Sequence, residues 1–83
     1  MVPRANELDE IRWRMRVTNL EARIELREID IAAFTREIAS PLTSAARRAE
    51  LTTHRAAMLA EVSKLKAELD QMRRSIPVRA FEH

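Results

Sequence analysis

The chain has 83 residues, 46% of them apolar and 34% charged, with no Gly, no Cys and a formal net charge of +2. That length allows one domain at most and too small a core for a lone monomer to be more than marginally stable. Without Cys or Gly there is no disulfide framework, no thiolate metal site or nucleophile, and no glycine-rich phosphate loop.

No apolar run approaches the ~20 residues of a membrane span. Glu7, Asp9 and Glu10 argue against a secretory signal near the start, so a cytoplasmic protein is expected. Residues 1–40 carry seven basic and eight acidic side chains, and residues 41–83 eight and five. This imbalance is enough to orient two helices and too mild to announce a nucleic-acid face. The abundance of Ala and Arg, with Lys only at 64 and 66, suits a small bacterial or phage accessory protein.

The first predicted element is a helix over about 5–39, rich in Ala, Leu, Arg and Glu. Asn6 is the candidate cap, and Glu7, Asp9 and Glu10 complement the helix dipole in the first turn. Trp13, Val17, Leu20, Ile24, Ile31, Phe34 and Ile38 recur at heptad spacing and form one seam, interrupted by Arg27. A second apolar set lies nearly opposite: Leu8, Ile11, Met15, Ala22 and Ile29, with Leu26 and Ala33 beside it.

Pro41 then breaks the helix, because it lacks an amide donor and clashes with the preceding turn. A turn over 40–43 between arms of nearly equal length predicts an antiparallel hairpin. The competing arrangement is a single bent helix that dimerises along its length.

The second helix is predicted over about 43–76, with Thr43 or Ser44 as its cap and Arg73 and Arg74 in its last turn. Met58, Val62, Leu65, Leu69, Met72 and Ile76 alternate steps of four and three without a fault. On the far side runs a small-residue stripe, from Ala46 and Ala49 through Ala56 and Ala60 to Ala67, suited to receive Phe34 and Ile31. Glu10–Arg14, Lys64–Glu68, Lys66–Asp70 and Asp70–Arg74 are spaced for ion pairs within a helix. After Pro77 an extended tail is expected over 77–83, in which Val78 and Phe81 are the groups able to dock.

The expected fold is therefore all-α: two long antiparallel helices, a helical hairpin around Pro41, forming a single domain over 1–83. A helix with two opposite apolar stripes needs two neighbours, and a hairpin supplies one. Dimerisation into a four-helix bundle or coiled coil follows as an expectation, with Leu8, Ile11, Met15, Met58, Val62, Leu65, Leu69, Met72 and Ile76 as the self-association residues.

Chemistry is thinly represented. Glu50 and His54 lie four apart, which matches neither the Glu-x-x-His of di-iron bundles nor the paired His of zinc proteases. Leu8-Asp9-Glu10-Ile11-Arg12 resembles the opening of helical chorismate mutases over five residues. The Lys that follows in that family and its third helix are both missing. No catalytic residue, metal site or cofactor is expected, and the chain is not expected to be an enzyme.

Arginines are the stronger lead. Arg47, Arg48, His54 and Arg55 cluster on the first turns of the second helix, and Arg48 and Arg55 occupy seam positions. With Trp13 and Phe81 they are the expected contacts for another protein, since aromatic and Arg anchors dominate interface energetics. The alternative is a nucleic-acid-binding hairpin. A small basic helical hairpin of the large ribosomal subunit is similar in outline, but its basic signature is absent from the second helix and acids interleave the Arg residues here.

Overall fold

The computed structural model describes residues 5–75. Two helices, α1 (Ala5–Ala39) and α2 (Ala45–Arg74), pack side by side as an antiparallel hairpin. The result is a rod measuring 61 × 22 × 17 Å. The bounds of α1 agree with the expected 5–39, although the helix already includes Asn6 and so begins ahead of the expected cap. The α2 helix is shorter at both ends than expected. Ser44 is its cap, with backbone angles of φ −64° and ψ 158° and its hydroxyl accepting the Arg47 amide at 3.1 Å. Ile76 and the tail 77–83, with Phe81, lie outside the described residues.

The turn is built without a left-handed residue: no described residue has positive φ. The Ser40 amide donates to the Glu37 carbonyl at 3.1 Å, and the Thr43 amide donates to the Ser40 carbonyl at 3.2 Å. The Thr43 hydroxyl donates back to the Glu37 carbonyl, and the Ser40 hydroxyl accepts the Leu42 amide at 3.2 Å. Two hydroxyl side chains thus close a connection that many chains close with glycine, and Pro41 and Leu42 are left at the exposed tip.

The core is the heptad seam. Val17, Leu20 and Ile24 of α1 interlock with Val62, Leu65 and Leu69 of α2, and Trp13, Ile31 and Met72 pack at its edges. Burial of each of these aliphatic side chains is worth about 1.5–3 kcal/mol against exposure. The α2 seam extends further toward the turn than its strongest run suggests. Leu51 is the most enclosed side chain of the described residues, at 1% exposure.

Charged residues flank the seam on both sides and pair across it. On one side Arg16 meets Glu68 at 3.3 Å, Arg23 meets Glu61 at 4.0 Å, and Glu37 meets Arg47 at 3.2 Å. On the other, Glu28 meets Lys66 at 2.9 Å and Glu21 meets Arg73 at 3.6 Å. These partners only partly match the expected intrahelical ones. Glu10–Arg14 and Asp70–Arg74 form, whereas Lys66 and Glu68 reach across to α1 instead.

Candidate functional site

The basic cluster at the start of α2 is engaged with the hairpin itself. The Arg47 guanidinium donates from Nε to Glu37 at 3.2 Å and lies 3.6 Å from Glu50. The hydrogen bond and charge of Glu37 raise its pKa above the ordinary guanidinium value. Arg48 donates from Nε to the Ile38 carbonyl at 3.0 Å. Its Nη2 reaches the Ser40 and Thr43 carbonyls at 3.3 and 3.2 Å. A guanidinium presents five donors in a rigid fork, which fits it to hold several carbonyls at once.

Arg55 donates to the Thr35 hydroxyl at 3.3 Å. His54 stands edge-on to Phe34, ring centroids 6.1 Å apart and planes at 81°. That contact takes Phe34 to a flanking position of α2. The small-residue stripe expected to receive it is exposed along its whole length, from Ala46 and Ala49 to Ala60 and Ala67. Arg27, the remaining polar seam position, turns aside to Glu61 at 3.2 Å.

Trp13 is half-buried at the other end of the rod. Its indole N–H donates to the Met72 carbonyl at 2.6 Å instead of reaching solvent. That carbonyl belongs to the last turn of α2, where the Ser75 amide also donates to it at 3.2 Å, so the indole supplies its second donor. Trp13 and Arg48 therefore act alike. Each stands near the start of one helix and donates to a last-turn carbonyl of the other, Met72 or Ile38. The sequence signal for Arg48 was its place in the seam, where a long donor aimed along the hairpin meets the end of α1.

Eight of the nine residues expected to mediate self-association lie within the described residues and divide into two groups, Ile76 lying outside them. Val62, Leu65 and Leu69 are buried against α1, and Met58 and Met72 are half-buried, so these side chains are taken up within the chain. Leu8, Ile11 and Met15 remain outside, exposed by 37%, 51% and 68%. Leu26 and Ile29 continue the same face at 63% and 57%. At 100° per residue this stripe points almost directly away from α2.

An open groove of 690 Å³ runs along one flank, where Glu21, Glu25, Glu28 and Asp70 surround Lys66 and Arg73. Its cations are already matched to Glu21 and Glu28, which makes it the seam between the helices and not a ligand cavity. Among the described residues, no group of three or more His, Asp or Glu side chains is arranged to hold a metal ion. Among the described residues no helix is long and apolar enough to cross a membrane. No protein-family model, curated protein or solved structure matches the chain.

Proposed function

We propose that this chain is a non-enzymatic protein–protein interaction module that acts as a homodimer, presenting a rigid helical hairpin to another protein. The exposed apolar stripe of α1 carries the reading. A helix that has already buried one face against its neighbour keeps a second, running from Leu8 to Ile29, in water. Contiguous apolar surface of this extent on a small protein marks an association site. A hairpin held at both ends by Trp13 and Arg48 is preorganised, so little conformational entropy is lost when it docks. Such a module works by bridging or occluding its partner.

The nucleic-acid reading is weaker, because Arg47, Arg48 and Arg55 spend their donors on Glu37, backbone carbonyls and Thr35. Sedimentation velocity across a concentration series tests the proposal. A dimer is expected for the native chain, and a monomer of unchanged helicity for a variant carrying Ile11→Ser and Ile29→Ser. A native chain that stays monomeric up to ~100 μM, well above the Kd of a working complex, overturns the homodimer. Retarded DNA or RNA at low salt would replace the reading with the nucleic-acid one.

A further inference from the structure

Resting on the homodimer reading, we infer that the second copy docks on the outer face of α1 through its own α1, antiparallel, around a two-fold axis beside residues 20–21. The stripe is close to palindromic about that point. An antiparallel copy sets Ile11 opposite Ile29 and Met15 opposite Leu26, while Thr18 and Ala22 meet at the axis, where small side chains let two backbones approach. The same two-fold brings each flank of the stripe onto itself.

Charge supports this direction. Among the described residues neither Arg12 nor Glu25 has an ion-pair partner. Arg14 is held only by its neighbour Glu10, and Asp30 only by Arg27 at 3.9 Å. In the antiparallel pair Arg12 comes level with Asp30 of the second copy, and Arg14 with Glu25 of the second copy. Symmetry makes each pairing twice. The like charges that also approach are already neutralised within each chain, Arg16 and Arg23 by Glu68 and Glu61, and Glu21 by Arg73. A parallel pair sets Asp30 near Glu25 of the second copy, which among the described residues has no ion-pair partner, and this is repulsive.

Area points the same way. Five side chains exposed by 37–68% amount to on the order of 500 Å² of apolar surface on each copy, and with their flanks two copies exceed the ~1,000 Å² that a specific interface requires. Because the stripe faces away from α2, the dimer is a flat row of four helices with the two α2 helices outermost, and not a closed square bundle.

The chain has no Cys, so introduced thiols report the geometry directly. Met15→Cys and Leu26→Cys variants are mixed, oxidised and resolved by mass, alongside sedimentation of each. The antiparallel pair yields the mixed disulfide. Met15→Cys alone gives none, since its two copies lie ~16 Å apart at 1.5 Å per residue, beyond the ~7 Å reach of a disulfide. A Met15→Cys disulfide between like copies establishes a parallel pair and overturns the inference. A dimer with no disulfide from any combination places the interface on another face and overturns it too, leaving the homodimer reading intact. A monomer removes both. Independently, Arg12→Glu weakens the dimer roughly 5–30-fold for reversal of two symmetric pairs, and adding Asp30→Arg restores it. Failure of the second change to restore it contradicts the pairing.

Discussion

Replacing Arg48 with Ala should loosen the closed end of the hairpin. In the native chain this one guanidinium serves three carbonyls, those of Ile38, Ser40 and Thr43, at 3.0–3.3 Å. Hydrogen bonds from a charged donor are worth about 1.5–3 kcal/mol each when sheltered, and neutral ones about 0.5–1.5. Here the side chain is exposed and water can replace it at every carbonyl, so the three together should contribute only about 1–2 kcal/mol. A domain of this size loses ~4–8 °C in Tm per kcal/mol. Arg48→Ala should therefore melt roughly 5–15 °C below the native chain when helicity is followed by circular dichroism. Protein concentration must be held constant, because self-association makes Tm concentration-dependent. Arg48→Lys keeps the charge but lacks the fork, and should recover less than half of the loss. An Arg48→Ala melt within ~2 °C of native would refute the argument. So would full recovery with Lys, which would assign the effect to charge near the end of α1 and not to the carbonyls.

Leu65→Ala removes a side chain from the middle of the seam and should cost about 2–5 kcal/mol, measured by urea denaturation; a loss under ~1 kcal/mol would mean that the interior is loosely packed. Trp13→Phe keeps most of the apolar bulk but leaves the Met72 carbonyl without its indole donor, and should cost about 1 kcal/mol with faster amide exchange confined to the last turn of α2. Glu61→Gln weakens the contacts to both Arg23 and Arg27, and its destabilisation, within ~1 kcal/mol at low salt, should shrink further at 1 M NaCl. Leu42 at the tip is 94% exposed, so Leu42→Gln should leave the urea midpoint unchanged within error.

The helices and their junction were legible because two strong local rules coincide with the tertiary structure. The heptad seam that runs from Trp13 to Ile38 is the buried face of α1, and Pro41 sits in the turn. What local reasoning could not supply was register. Lys66 has an acid four residues on and another across the hairpin, and only the docked geometry decides for Glu28. Glu68 likewise leaves Lys64 for Arg16. Clustering of Arg residues in sequence says nothing about what the other helix offers them. Here it offers Glu37, Thr35 and the open carbonyls at the end of α1. The same limit applies to the apolar residues of α2. Spacing identifies a sticky face and is silent on whether its cover comes from the same chain.

The flanking charges do more than add small pairwise energies. Along one flank α1 reads Arg16, Arg23, Asp30, Glu37, and the facing flank of α2, taken in the opposite direction, reads Glu68, Glu61, His54, Arg47. The sign changes halfway along both, so the aligned hairpin opposes unlike charges at Arg16, Arg23 and Glu37. Sliding α2 by one heptad in one direction brings Asp30 onto Glu61, and in the other keeps only Arg16–Glu61 and Asp30–Arg47 as unlike pairs. Because the apolar seam repeats every seven residues, hydrophobic packing alone discriminates poorly between these alignments. Exposed ion pairs worth ~0.2–1 kcal/mol each are weak as stabilisers, but the aligned register keeps more unlike pairs on this flank than either slipped one. The two end clamps work in the same direction, since Trp13 and Arg48 find their carbonyls only when both helices are in step. A chain without glycine thus specifies a single hairpin by placing long donors at its ends and a change of sign at its middle, while the seam supplies cohesion that would serve several alignments equally.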